Sequence, residues 1–245
     1  MKALSLFVTG TDTGIGKTFV SCALLRSFCA RDQRVVALKP IAAGAKLHNG
    51  VWLNEDTELL LDESNVTLQP HLITPYLLRE PVAPHIGAAH QGLPIDISYI
   101  QSCYHDAAQL ADVVIVEGVG GVCVPIDEMK DTSDIAIMLK LPILLVVGLR
   151  LGCINHALLS AEAIATRGLT LAGWIANVVD PYMTCSAENI EAVRQRFDRQ
   201  YSAPLLGIIP RLDGNRSDKT ASYLDIDTLL KRLRYLHAHQ SNPFR

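Results

Sequence analysis

Lys17 and Thr18 close the run Thr9-Gly10-Thr11-Asp12-Thr13-Gly14-Ile15-Gly16-Lys17-Thr18, and the residue types in that run suit an anion. Glycines let backbone N–H groups converge on a phosphate with no Cβ in the way. Lys17 brings a mobile ammonium to the phosphate oxygens. Thr18 offers a hydroxyl to Mg2+, a cation that takes oxygen ligands and keeps several waters. One position departs from the strict phosphate-loop spacing G-x-x-x-x-G-K-[ST]: Thr11 stands where the pattern has glycine. The plain alternative is a glycine turn feeding a helix, with Lys17 in solvent. The flanks argue against it. Leu4, Leu6, Phe7 and Val8 make an apolar run suited to a buried parallel strand. Phe19, Val20, Ala23, Leu24, Leu25 and Phe28 make one side of a helix, whose free N–H groups and positive end would face the anion.

Other polar side chains sit at the edges of apolar runs. Glu117 closes Val113-Val114-Ile115-Val116, where a phosphate-loop protein places its acidic metal partner; an ordinary strand-end carboxylate is the alternative. Asp56 opens a short helix, and from position alone it reads first as a favourable first-turn acid. Lys39 ends a strand just before Pro40. It either snorkels to the sheet edge or faces the phosphate as a second cation, and spacing does not choose between these. Asn155 reads as a helix N-cap, and the helix start after Gly152 is also a ready anion site.

The elements that must position these residues follow from the composition and the periodicity. The chain has 245 residues, 49% of them hydrophobic, and a net charge of −3. That length fits a single domain over 1–245 with a large core. The charge suggests neither nucleic acid nor an anionic membrane as partner. The six cysteines lie far apart, with no C-x-x-C pair and no metal spacing. They read as reduced core thiols of a cytoplasmic protein. The N-terminus runs straight into a strand with no signal-peptide pattern. No apolar run reaches the roughly 18 residues a membrane span needs.

Along the chain, strands are expected after the N-terminus and over 34–39, 113–117, 142–148, 171–178 and 205–209. Helices are expected over 17–31, 55–63 with Asn54 as cap, 97–111, 133–140, 155–167, 186–197 and 225–237. Residues 46–54 read as loop, and 64–96, with five prolines, as an irregular excursion holding one short helix after Pro84. The alternation predicts an α/β fold: a doubly wound, mostly parallel sheet of about seven strands with helices on both faces. Ligands of such sheets bind at the carboxyl ends of the strands. Those ends are Thr9 to Thr18, Lys39 to Gly44, Glu117 to Gly121, Gly148 to Asn155, Asn177 to Pro181, and Pro210 with Arg211.

A wider set of motifs resembles one family. Gly10-Thr11-Asp12-Thr13-x-x-Gly16-Lys17-Thr18 resembles the P-loop of dethiobiotin synthetases. So do Lys39-Pro40 with Gly44, Asn54-x-Asp56, Glu80-Pro81-x-x-Pro84-His85 and Val116-Glu117-Gly118-x-Gly120-Gly121. Leu151-Gly152-Cys153-Ile154-Asn155-His156, Gly173-Trp174-x-Ala176-Asn177 and Pro204-Leu205-Leu206-Gly207-x-Ile209-Pro210 complete the set, in family order from residue 7 to about 212. The P-loop alone is not specific; the combination is.

The resemblance implies a P-loop NTPase-type fold and an ATP-dependent ring closure in biotin synthesis. One amine of 7,8-diaminononanoate takes up CO2 as a carbamate. The carbamate oxygen attacks the γ-phosphate of ATP, and the second amine then closes a cyclic urea. Lys17, Lys39 and Thr13 would be catalytic, with Mg2+ held by Thr18, Asp56 and Glu117. ATP would meet Gly14, Ile15, Gly16, Lys17, Thr18, Phe19, Asp56, Glu117, Gly118, Val119 and Gly120. Asn177, Val178, Pro210, Arg211 and Leu212 would read its adenine. Thr13, Lys39 and Ala43 would touch the reacting end of the substrate, and Gly152, Cys153, Ile154 and Asn155 its distant carboxylate. In this family that last segment comes from a second subunit, which implies a homodimer with shared sites. No protein nucleophile is required, in keeping with the lack of an evident Ser/His/Asp or Cys/His set.

Two positions depart from relatives: Ala43, where some carry Ser, and Gly14, where some carry an acid. Other readings stay open. One is a partitioning-type ATPase switch, whose loop carries an extra early lysine where this chain has Asp12. A final helix with Leu229, Leu230, Leu233 and Leu236 against Lys231, Arg232 and Arg234 resembles a membrane-targeting tail, although packing on the sheet is the favoured reading. A cobyrinate-type amidating synthetase would need a glutaminase domain, of which nothing here gives a sign. A non-enzymatic nucleotide-binding relative is the last.

Overall fold

Val113-Val114-Ile115-Val116 is apolar at every position, as a strand covered on both faces must be. In the computed structural model, which describes residues 3–212 and 220–240, this segment lies inside a parallel sheet. In chain order the elements are β1 (Leu4–Gly10), α1 (Lys17–Cys29), β2 (Val35–Leu38), β3 (Ile41–Ala43), β4 (Lys46–His48), β5 (Val51–Leu53) and α2 (Glu55–Glu63). Then come α3 (Pro70–Ile73), β6 (Tyr76–Leu78), α4 (Pro84–Gln91), α5 (Ile97–Leu110), β7 (Val113–Glu117) and α6 (Thr132–Leu139). The chain continues through β8 (Ile143–Leu149), α7 (Cys153–Thr166), β9 (Leu171–Val178), α8 (Ser186–Tyr201), β10 (Leu205–Ile209) and α9 (Ile226–Gln240).

Among the described residues the main sheet has six strands in the order β10-β9-β8-β1-β7-β2, and every pairing is parallel. From β1 the chain crosses to β2 on one side and later builds β8, β9 and β10 on the other. β1 therefore sits at the switch point, where the crevice beyond the strand ends is widest. Alternation sends Phe7, Val114 and Val116 into one core with α5 and α7, while Leu6, Val8, Val113 and Ile115 enter another with α1 and α9. Helices thus cover both faces.

The expected mostly parallel sheet of about seven strands with helices on both faces is borne out, with six strands in the main sheet among the described residues. The remaining strands form separate pairs, parallel β3–β6 and antiparallel β4–β5. The stretch 46–54, expected as loop, is that antiparallel hairpin. Its turn is Asn49-Gly50, with φ of 50° and 83°, the left-handed pair that Asn-Gly favours in two-residue hairpins. The excursion 64–96 is more ordered than expected. Besides α4, which starts at Pro84 as foreseen, it holds α3 and β6. Asn54 does cap α2, its Oδ1 accepting from the Thr57 amide at 3.2 Å. Asn155 does not cap α7: the cap is Gly152 at φ 95°, and Asn155 lies exposed in the first turn.

The last helix packs on the sheet rather than standing free. Leu229 and Leu233 are buried against β-strand residues, with Leu230 and Leu236 beside them. Of the cysteines, Cys22, Cys103 and Cys153 are buried core thiols as expected, Cys29 is half-buried, and Cys123 and Cys185 are exposed. Among the described residues no helix is long and apolar enough to cross a membrane.

Candidate functional site

The loop between β1 and α1 is held from several sides. Gly14 and Gly16 take φ of 70° and 88°, a region costly for residues with a Cβ. A Cβ on Gly16 would lie 2.3 Å from Asn177 Nδ2. That amide, at the end of β9, donates to the Ile15 carbonyl at 2.7 Å and pins the loop to the sheet. Thr11 explains the departure from the strict spacing. Its amide donates to Val146 at 3.0 Å, and its Oγ1 accepts from the Gly148 amide at 3.3 Å. The position where the pattern has glycine here extends the pairing of β1 with β8. Arg150, beyond the end of β8, forms an ion pair with Asp12 across the loop. Reading the sequence did not single out Arg150, since no spacing ties it to Asp12.

Lys17 begins α1 and its ammonium donates to the Asp12 carbonyl at 2.9 Å. Burial and the nearby charge of Lys39 push its pKa down to about 8, against the pull of Glu117, Asp56 and Asp12.

Beneath the cleft, strand ends meet. Glu117, the last residue of β7, is wholly buried, and Lys39 directly follows β2 with its side chain only 4% exposed. Their contact is Nζ to Oε1 at 2.5 Å. The same ammonium reaches Asp56 Oδ2 at 3.0 Å. Thr18 Oγ1 donates to Glu117 Oε1 at 2.8 Å, and Glu117 Oε2 has no partner among the described residues. Burial would lower the pKa of Lys39, but the adjoining carboxylates outweigh it and the group is held above its usual value. Burial likewise acts to raise Asp56, and Lys39 overrules it, keeping the carboxyl below its usual range.

These residues fit a magnesium site. A hydroxyl and two carboxylates, one with an unpartnered buried oxygen, are the hard oxygen donors Mg2+ prefers alongside phosphate oxygens and water. Thr18, Asp56 and Glu117 would hold it, and it would supply compensating charge at the phosphates.

Thr13, Gly14, Gly16, Lys17, Thr18 and Phe19 line one side of an open cleft of ≈ 760 Å³, with Lys39, Ala43 and Asp56 at its floor. Leu59, Pro81, Val82, Ala83, Pro84, Val119, Gly120 and Val124 supply a largely apolar wall. Of that wall, Val119 and Gly120 were candidates from the sequence, and Pro81 and Pro84 stood there only as part of an irregular excursion and of a family motif; Leu59 and Val124 carried no signal. Ile15 is buried beneath the loop, and Gly118 is buried beside Phe7.

The remaining candidate residues do not line the cleft. Asn177 and Val178 end β9. Pro210, Arg211 and Leu212 follow β10, where Arg211 donates to the Val179 carbonyl at 3.2 Å. Gly152 and Asn155 are exposed at the start of α7, with Cys153 buried and Ile154 half-buried there. No cysteine stands ready as a nucleophile in the site: burial, with the Glu63 carboxylate, pushes the Cys22 thiol up to about 12.

The model of the AAA domain family that includes dethiobiotin synthase matches residues 5–217, which spans the loop, both lysines and every strand of the main sheet. This chain belongs to that AAA domain family. Solved structures with the same fold include the MinD cell division protein of Aquifex aeolicus, at 16% identity and TM-score 0.52, covering 98% of this chain and 99% of that one. A ParA family ATPase from Chlorobium tepidum aligns at 15% identity and TM-score 0.52, over 97% and 100%. The septum site-determining protein MinD of Pyrococcus horikoshii, complexed with Mg-ADP, aligns at 16% identity and TM-score 0.50, over 98% and 100%. The AAA domain chain described here shares with them a P-loop NTPase fold, in which the loop after β1 meets the end of β7 at the switch point.

Proposed function

We propose that this protein is a dethiobiotin synthase, closing the cyclic urea of dethiobiotin from 7,8-diaminononanoate and CO2 with ATP, and releasing ADP and phosphate. One observation carries the reading: a second lysine, Lys39, lies buried in the same cleft as Lys17. A nucleotide needs only the loop and Lys17. A second buried cation beside Ala43 and an apolar wall suits a second anionic reactant with an aliphatic chain.

The carbamate and the triphosphate are both anionic, so the site must hold like charges together. Lys17 and the loop amides bind and orient the γ-phosphate. Thr13, Lys39 and Ala43 border the carbamate. Mg-ADP in MinD of Pyrococcus horikoshii supports the same pairing of nucleotide and cation here; bound by Thr18, Asp56 and Glu117, Mg2+ would offset charge on the phosphate oxygens. The carbamate oxygen forms a bond to the γ-phosphorus as ADP leaves. The second amine then attacks the carbamoyl carbon, phosphate departs, and the amine's proton goes to solvent. Asn177, Val178 and the turn of Pro210, Arg211 and Leu212 would hold adenine. The exposed start of α7, Gly152 to Asn155, would receive the substrate carboxylate in a neighbouring copy, so the working unit is a homodimer.

The deciding experiment is phosphate release from ATP with 7,8-diaminononanoate and bicarbonate, against a control without the diamine. Release that depends on the diamine is expected; release indifferent to it overturns the proposal. A second reading, a partitioning-type ATPase switch, draws support from the fold shared with MinD and ParA. Asp12, tied to Arg150 where that class carries its early lysine, counts against it. Co-sedimentation with liposomes in ATP would favour the switch.

A further inference from the structure

We infer that Lys39 is a built-in stand-in for the metal: its ammonium holds the carboxylates of Glu117 and Asp56 together in the nucleotide-free protein, so that a divalent cation enters only in company with the nucleotide. Both carboxylates suited to Mg2+ already give one oxygen to that ammonium. Its Nζ lies 2.5 Å from Glu117 Oε1 and 3.0 Å from Asp56 Oδ2, while Thr18 Oγ1 shares the same Glu117 oxygen at 2.8 Å. Glu117 is wholly buried, and its other oxygen has no partner among the described residues. A buried carboxylate beside a second one needs a cation at all times. In this structure the lysine supplies it.

A divalent cation and an ammonium repel at such distances, the more so away from water. Free Mg2+ would therefore have to displace Lys39 and leave that cation buried with nothing to pair it. A nucleotide changes the balance. Its phosphate oxygens supply new partners for the displaced ammonium as well as ligands for the metal. Lys17, which donates to the Asp12 carbonyl, makes the first contact with the incoming phosphate. The flexible four-carbon stem of Lys39 lets its ammonium move within the cleft while Cα stays in place. Metal and nucleotide binding are thus coupled through one side chain, and coupling of this kind is reciprocal.

The test is Mn2+ binding read by electron paramagnetic resonance, on the whole chain without nucleotide. It needs neither the diamine nor turnover, so it stands or falls separately from the dethiobiotin proposal. Lys39→Met and Lys39→Gln are expected to bind Mn2+ at least about tenfold more tightly than the native protein, with the gap closing when ADP is added. Equal nucleotide-free affinity in native protein and variants overturns the inference, as does the absence of Mn2+ binding in both variants. If the variants are unfolded without metal, refolding in Mn2+ supports the stand-in role, and failure to refold in Mn2+ overturns it.

Discussion

Lys17 and Lys39 share one cleft but live in opposite surroundings. Lys17, on the loop side, has a backbone carbonyl for company and is pushed down to about 8, first by burial and then by the charge of Lys39. Lys39, on the floor, is also buried, yet Glu117 and Asp56 outweigh that burial and hold it charged. The same kind of side chain contacts a backbone carbonyl in one region and serves as internal counter-ion in the other. Burial alone therefore says little about a lysine's part in a site; the nearest carboxylate decides.

The largest expected effect tests that contrast through stability. Lys39→Leu leaves the wholly buried Glu117 without its counter-ion, and removing one partner of a buried pair costs about 3–5 kcal/mol. Lys17→Met removes a poorly solvated ammonium that has no ion pair among the described residues and should change stability by no more than about 1 kcal/mol. Urea unfolding of both variants reads the difference, and equal losses would erase the distinction between the regions. Turnover should sort the loop side next. Lys17→Gln loses the charge and, being shorter, the aimed contact, so phosphate release should fall at least about 100-fold, or about 2.7 kcal/mol, the scale for losing one aimed donor. Wild-type-like turnover would mean that Lys17 does not touch the transferred phosphate.

A smaller effect sharpens the role of the floor. Glu117→Gln keeps the shape and removes a charge, so the Mg2+ needed for half-maximal activity should rise, on the order of tenfold. An unchanged Mg2+ titration would leave Glu117 as the partner of Lys39 alone. The smallest effect is a proton. Below pH about 8 Lys17 already carries its charge, and nucleotide binding there should take up no proton at this group. Above that pH a phosphate must draw a proton onto Lys17, so affinity should weaken as pH climbs past about 8. Calorimetry in buffers of different ionisation enthalpy measures the uptake directly; none above pH 8 would mean that Lys17 stays charged without ligand.

Much of this was open to a reader of the sequence because local chemistry forces it. Glycines before Lys17-Thr18, an apolar run before them and an amphipathic helix after them leave few alternatives to an anion loop. Each main-sheet strand was marked by its run of apolar residues. The small elements between residues 41 and 96 were harder. β3 and β6 are three residues each, too short to show a period. Their pairing depends on Ile41 meeting Tyr76 across a long gap in sequence. The hairpin at Asn49-Gly50 did carry a turn signal, but its strands are as short and mostly exposed.

What the sequence determined by itself was the kind of site: a loop for phosphate, candidate acids and lysines at strand ends, and a doubly wound sheet to carry them. Periodicity and turn chemistry act over a few residues, and they sufficed for that. Which groups meet was decided only by the tertiary structure. Strand order brings β7 and β2 side by side, and that neighbour relation puts Lys39 against Glu117, 78 positions along the chain. From sequence, Lys39 was equally a snorkelling surface lysine and Asp56 a routine first-turn acid. The distinction rests on charges meeting in a dry interior, where proximity and desolvation act together, and no local pattern encodes either.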